Sequence, residues 1–570
     1  MKKQYTPLYI AVGTVVGIII GTFVSNLFSG DRLNVVNASS SKLNDLLHFV
    51  DEQYVDTINM TQLLDDAIPN ILAELDPHSS YITAKDAHTA VEDLHGSFSG
   101  VGIQFTIRED TVYVNNIVKG GPSEKVGILP GDRIIAIDGK PYVGKVVTNE
   151  ETLHRLKGEK GSKVKVQVQR GREKKNFTIV RGDIPVKSID ATYMLTPQLG
   201  YIRINSFGET TYYEMIMALA KLQNDNFRGL VVDLRGNGGG YLLSACQLIN
   251  EFLPDNKLIV YTEGRKAPRE DYMSDGTGAY QTLPIIVLTD ETSASASEIF
   301  AGAIQDNDRG IVVGRRTFGK GLVQQPFEFS DGSRIHLTIA RYYTPSGRCI
   351  QKPYTKGHTE DYQMDIYQRY SRGEFFNEDS IRQTGEKYHT SLGRVVYGGG
   401  GIMPDYFVPQ DTTLSTTYFM EAIERGLINE YCFYYTDQNR ARLSAYETPH
   451  QMVKYLRTQH LIEKFAQFAD TKGLQRRNNQ IIQSQTLFEE AIYGTIIYNI
   501  FDIEAYLQYI NREDKTVKRA IELFNQHKTF PSLNDQEDLK DNDSKKTARM
   551  LFPADIRVGK HYFLTKYSIV

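Results

Sequence analysis

The segment TSASASEIFAGA (292–303) directly follows PIIVLTD (284–290), an apolar run that reads as a buried strand. A serine at such a strand-to-helix junction presents an exposed hydroxyl, and the helix N-terminus behind it leaves amides without intrahelical partners. Small alanine neighbours let a carbonyl approach. This is the setting a serine nucleophile needs. The same letters also spell a helix cap, with Ser293 or Ser295 at the N-cap and Glu298 completing a capping box. Taken alone, the segment is better described as the cap.

Three glycine-rich stretches compete for a second role. DLRGNGGGY (233–241) follows a strand and precedes a helix, but a dinucleotide fingerprint would need glycine at 241, where Tyr241 stands. GRRTFGKG (314–321) approaches a phosphate loop through Gly314, Gly319 and Lys320. Gly321 supplies no hydroxyl for magnesium, so that reading fails as well. GGGGI (398–402) follows no strand pattern and reads as a turn. A net charge of −4 gives no electrostatic footprint for nucleic acid. His48, His78, His88, His95 and His154 show no metal-ligand spacing and read as structural or surface residues. Cys246, Cys349 and Cys432 form no CxxC pair, and at most one bridge is possible among them. No metal and no cofactor is expected.

These segments need elements to hold them, and 570 residues exceed what one hydrophobic core accommodates. Lys2 and Lys3 precede a stretch with no charge until Asp31. Its apolar part, residues 8–24, is longer than a signal peptide's, and the small-residue site Val36-Asn37-Ala38 lies well past its end. Residues 1–30 are therefore read as an uncleaved single-pass anchor rather than a cleaved signal segment. The paired lysines place the N-terminus in the cytoplasm and everything after the segment outside. Gly13, Gly17 and Gly21 share one face of that helix, which equally suits close helix packing in lipid or no function. Residues 31–41 read as a polar linker, and 40–95 as a helical region interrupted by a turn at LDPHSSY (75–81). From 96 to 182, short period-two strands alternate with Gly/Pro turns. From 183 to 411, strands alternate with helices in an α/β layer pattern. From 412 to 570 the apolar spacing is helical nearly to 525.

Two resemblances change the weighing. SGVGIQF (99–105) and GILPGDRIIAIDG (127–139) resemble a PDZ domain. The amides of Val101, Gly102 and Ile103 would there form a backbone nest for a terminal carboxylate, beside a sheet edge open to a peptide strand. TSASASE, FGKG with Lys320 25 residues after Ser295, and Gln324 four further on resemble the C-terminal processing peptidases, or tail-specific proteases. DLRGNGGG before them, and YYTPSGRCIQ (342–351) and GIMPD (401–405) after them, keep that family's order. Two departures stand out. Gly238 replaces a usual proline, and residues 352–397 look like an insertion.

The resemblance implies a crotonase-like (ClpP-like) α/β protease core with a PDZ domain before it and helical regions at both ends. It implies Ser295 as nucleophile, Lys320 as general base and Gln324 as the residue that orients the lysine. It also implies the amides of Gly239 and Ala296 as oxyanion hole. Lys320 must then be neutral, so burial must depress a value that in water lies at about 10. The expected partners are protein substrates with free C-termini, the membrane through the anchor, and a further copy or an adaptor protein. The rival reading is a non-catalytic PDZ-containing binding or scaffold protein, which would have no need of Ser295, Lys320 and Gln324 together. An esterase would want a G-x-S-x-G elbow, which Ser295 lacks.

Overall fold

The computed structural model describes residues 32–87, 96–381, 385–531 and 568–569. The anchor expected at 1–30 lies outside them. Among the described residues no helix is long and apolar enough to cross a membrane. The chain divides into two units, residues 1–72 and 73–570. The first carries the helix Arg32–Gln53 and most of the helix Met60–Ala73. The linker expected at 31–41 is thereby corrected, because the helix Arg32–Gln53 runs through it. No Gly or Pro stands between Arg32 and Gln53 to end that helix, and Ser or Asn costs a helix only about 0.5 kcal/mol per residue.

The second unit is layered around a six-stranded sheet. Its order is Ile189–Met194, Leu199–Ile204, Gly229–Asp233, Ile285–Thr289, Ile311–Gly314, Tyr406–Phe407. The first pair is antiparallel and the remaining pairs are parallel. The strands Gly229–Asp233 and Ile285–Thr289 are buried at every position, as strands covered on both faces must be. The helices Thr211–Gln223, Leu242–Asn250 and Ala296–Asp306 supply the crossovers. The last of these is buried along its whole length.

A second, antiparallel sheet lies beside this core. The long strand Arg334–Tyr343 pairs with Leu322–Glu328, with Leu258–Glu263 and with Ser80–Ile82. The strand Ser80–Ile82 corrects the helical reading of 40–95: the end of the turn segment 75–81 itself joins this sheet. Asp76 and Pro77 explain the break, since proline disfavours helix at the residue before it and Asp76 caps the turn by accepting the His78 and Ser79 amides.

The PDZ-like segment has a core of its own, built on Val101, Ile103, Phe105, Val112, Ile134 and Val166 among others. Its sheet runs Ile103–Arg108, Thr111–Ile117, Arg133–Ile137, Lys163–Arg170, Glu173–Val180, and the two-residue strand Ser568–Ile569 pairs with its first edge. The helices Ile503–Ile510 and Lys515–Asn525 pack against the six-stranded sheet, and those between Thr417 and Ile500 form a separate core. They meet the PDZ segment where Phe433 packs edge-on against Tyr113, at 5.0 Å between ring centroids, and where Tyr434 Oη donates to Glu109 at 3.0 Å. The strand at 568–569 departs from the helical expectation for 412–570.

Candidate active site

Ser295 sits at the N-cap of the helix Ala296–Asp306 with φ +56° and ψ −117°. This left-handed conformation is costly for a residue with a Cβ, and such strain concentrates at functional sites. Neighbouring Ser293 is spent on structure: it donates to Leu234 O at 2.8 Å and accepts the Asp290 amide at 3.0 Å. Ser295 is half-buried, whereas Ala294 and Ala296 on either side are buried. Ser295 and Glu298 form the capping box that the sequence spells, with the Glu298 carboxylate accepting the Ser295 N–H.

That carboxylate does more than cap. Glu298 is completely buried. Its Oε2 accepts the Ser295 N–H at 2.9 Å and the Lys320 N–H at 2.8 Å. Its Oε1 accepts the Gly319 N–H at 2.7 Å and the Thr317 hydroxyl. One oxygen thus ties the serine segment to the lysine loop across 25 residues of chain. Burial pushes the Glu298 carboxyl up to about 7 despite these four donors.

Lys320 is half-buried, and its Nζ makes no ion pair or hydrogen bond among the described residues. Burial lowers its pKa below the usual lysine value, against the opposing charges of Glu298 and Asp76. Its flanking glycines keep the backbone close to its neighbours. A Cβ at Gly319 would stand 3.0 Å from the Lys352 Cβ, and one at Gly321 would stand 2.8 Å from the Gln351 amide. The 352–397 segment supplies the roof. Lys352 Nζ lies 3.9 Å from the centre of the Phe318 ring, next to the lysine loop, and 4.1 Å from that of Tyr362. Arg369 and Glu374 pair in the interior and also hold the loop, through the Thr317 carbonyl at 3.0 Å and the Arg316 guanidinium at 2.7 Å.

Gln324 lies on the strand Leu322–Glu328, four residues past the lysine, but it makes no hydrogen bond to Lys320. Its Nε2 donates to Thr338 Oγ1 at 3.2 Å, and that hydroxyl donates to Asp76 Oδ1 at 3.0 Å. The expected direct orientation of the lysine is therefore corrected: Gln324 reaches the neighbouring strand, where Thr338 stands within reach, and Asp76 anchors the pair.

The oxyanion reading is also altered. Gly239 stands against the serine segment, since a Cβ on it would lie 2.7 Å from the Ser295 Cβ and 2.9 Å from the Ala296 nitrogen. Its own N–H, however, donates to Asn237 Oδ1 at 2.8 Å and is not free. The Ala296 N–H, first of the helix, has no acceptor among the described residues. At the other candidate site, Gly102 adopts φ +77°, and the amides of Val101 and Gly102 likewise have no acceptor among the described residues.

Sequence reasoning missed the LDPHSSY turn as part of this site. Asp76 accepts the Ser79 hydroxyl at 2.6 Å, and Ser79 Oγ in turn accepts the Thr338 amide at 3.1 Å. Burial works against its ionisation, but the Ser79 hydroxyl and the His78 and Ser79 amides bring its pKa below the ordinary value. His78, read from sequence as structural or surface, lies close enough to Lys320 to feel its charge. Burial and that charge hold it down to about 4, so it is neutral at pH 7. Its Nε2 hydrogen-bonds Tyr362 Oη at 2.8 Å. The available signal was a charged and hydroxyl-rich cluster placed where helical spacing fails.

The DLR motif acts at a distance from these groups. Asp233, completely buried, is held to about 2: burial is outweighed by Arg235, which grips it in the fork, by Arg203, and by the Tyr201 hydroxyl at 2.7 Å. Arg235 also reaches Asp514 in the helical region at 2.8 Å.

A serine at a strained junction, a lysine depressed by burial and a separate peptide-binding type of module together define a serine peptidase with an appended recognition domain. Comparison with known proteins agrees. Residues 198–364 match the model of peptidase family S41, 99–180 that of the PDZ domain, and 418–502 a family of unknown function. Over 354 residues the chain is 33% identical to a protein named "Probable CtpA-like serine protease" of Staphylococcus aureus (strain MRSA252), covering 61% of this chain and 71% of that one. Over 316 residues it is 34% identical to "Carboxy-terminal processing protease CtpB" of Bacillus subtilis (strain 168), covering 55% and 65%. A solved photosystem II D1 C-terminal processing protease is 29% identical over 54% of this chain and 89% of its own, at a TM-score of 0.32. The chain belongs to peptidase family S41 and is a serine-type peptidase that carries a PDZ domain.

Proposed function

We propose that the chain is a C-terminal processing endopeptidase in which Ser295 is the nucleophile and Lys320 its base. The observation that carries this reading is the shared acceptor: Glu298 Oε2 takes the amides of both Ser295 and Lys320. That arrangement fixes the two segments relative to each other while burial lowers the lysine pKa. Ser295 Oγ attacks the scissile carbonyl as its proton passes to the neutral Lys320 amine. The lysine then gives that proton to the leaving amine, and water releases the acyl group by the same route. The free Ala296 amide faces the developing oxyanion. Gly239 leaves the space for it, in place of a side chain that would collide with Ser295. Gln324 acts with Thr338 and Asp76 to set the strand that follows the lysine.

Val101, Gly102 and Ile103 receive the substrate tail, with the free amides on its carboxylate and the Ile103–Arg108 edge pairing with its backbone. The sheet order of the core, with three crossover helices between its parallel strands, supports the crotonase-like architecture. Domains run 96–182 for the PDZ module, 183–411 for the protease and 412–570 for the helical region. Residues 1–30 anchor the chain in the cell membrane, with the catalytic part outside the cytoplasm.

The test is a comparison of protein C-termini in membranes from cells carrying wild type or Ser295→Ala. Full-length tails should persist in the variant alone. Identical C-termini in both would sink the assignment.

A further inference from the structure

The Ile103–Arg108 strand would be the open edge of the PDZ sheet, but it is not open. The chain's own Ser568–Ile569 pairs with it antiparallel, Ser568 opposite Phe105 and Ile569 opposite Gln104. As the chain proceeds, these pairs step toward Ile103 and so toward the Val101–Gly102 loop, whose amides have no acceptor among the described residues. This is the orientation in which a strand-adding peptide would approach a nest at that loop. The other edge of Ile103–Arg108 is taken by Thr111–Ile117, so a second peptide has no place on the same strand.

We infer that Ser568–Ile569 is an intramolecular ligand of the PDZ groove, which a substrate tail must displace. The inference rests on the reading of that groove as the tail receptor. Edge strands present unpaired backbone groups that template another strand, and proteins cover them. Here the cover occupies the position the recognition module needs for its substrate. A ligand on the same chain competes intramolecularly, at an effective concentration that for flexible tethers reaches about millimolar. Tails that bind weakly are therefore excluded and tighter ones admitted, so the segment acts as a threshold for substrate choice. The contact is made by main chain, which is how sheet addition gains affinity without demanding one sequence.

The experiment uses a fluorescent peptide of residues 560–570, KHYFLTKYSIV, with a free or an amidated end. Its binding is followed by anisotropy on the full chain, on a chain ending at residue 531, and on full-chain Ile569→Pro. Proline lacks the N–H and is not accommodated in a paired ladder. A groove filled about nine-tenths of the time raises the apparent Kd about tenfold. The shortened chain and Ile569→Pro should thus bind the peptide about tenfold more tightly than wild type, and the free-ended peptide better than the amidated one. Equal affinity for wild type and both variants overturns the inference, since the groove is then empty in the native chain. If this peptide binds no form while free-ended peptides with apolar tails bind all three, the segment is not a ligand but the groove still reads tails. If no peptide binds any form, the tail-receptor reading itself fails. Should the shortened chain not fold, Ile569→Pro alone decides between these outcomes.

Discussion

Replacing Glu298 by glutamine should separate the protein's pH response from its shape. The carboxyl is completely buried, and burial raises it from 4.5 to about 7. Between those values the folded chain holds a proton that the unfolded chain has released. The stability this group contributes is therefore fully present below the unfolded value and is lost as pH rises through about 7. The displacement amounts to about 3 kcal/mol. Glu298→Gln keeps the side-chain outline and abolishes the titration. The stability of wild type relative to the variant should then fall by about 3 kcal/mol between about pH 5 and 8. Paired calorimetric melts in matched buffers measure it. A difference that stays flat from pH 5 to 8 refutes the reasoning.

The same variant probes the link between Ser295 and Lys320. A glutamine has one acceptor oxygen, so its NH2 must face either the Ser295 and Lys320 amides or the Thr317 and Gly319 donors. A buried donor left without a partner costs about 1–3 kcal/mol, so two such losses should lower kcat/KM by about thirtyfold or more. A Glu298→Gln enzyme within twofold of wild type would show that the shared carboxylate oxygen does not position the pair.

Three further outcomes are expected. Lys320→Arg should be as inactive as Lys320→Ala, because a guanidinium stays protonated and cannot accept the serine proton; substantial turnover in the arginine form would reduce Lys320 to a source of charge. Gly239→Ala should lose most activity, since its Cβ would sit 2.7 Å from the Ser295 Cβ at a backbone φ of +107°, and an active variant would place the oxyanion elsewhere. Thr338→Val should lower kcat about tenfold with KM nearly unchanged, because Gln324 and Asp76 lose their common hydroxyl; an unchanged kcat would confine Gln324 to the strand.

Much of this site was legible because local chemistry and order carry it. PIIVLTD followed by TSASASE announces a buried strand turning into a helix. The strand Ile285–Thr289 and the helix Ala296–Asp306 answer it, and glycines at 319 and 321 announce the tight loop around Lys320. What sequence spacing did not carry is contact between segments. Glu298 reads as a cap residue because its nearest partner, Ser295, is three positions away; its remaining partners lie at 317, 319 and 320. Asp76 lies 262 residues from Thr338, and no periodicity relates them. The linker at 31–41 was misread for another reason: Ser and Asn disfavour a helix too weakly to stop one that neither Gly nor Pro interrupts.

The altered role of Gln324 follows from the same geometry. It lies on a strand paired along its length with Arg334–Tyr343, with a register shift between Val323 and Gln324. Pairing brings Gln324 opposite Thr338, whose hydroxyl is already committed to Asp76, so the amide completes a chain that runs from one antiparallel strand to the 75–81 turn. Lys320 is left with burial and the charges of Glu298 and Asp76 acting on it, and with no hydrogen bond to its amine among the described residues. An amine so placed gives up its proton more readily than one fixed by an acceptor, because a hydrogen bond to the charged form would raise its pKa again. Gln324 and Thr338 thus tie the strand that follows the lysine to the 75–81 turn, whose Asp76 charge bears on the amine.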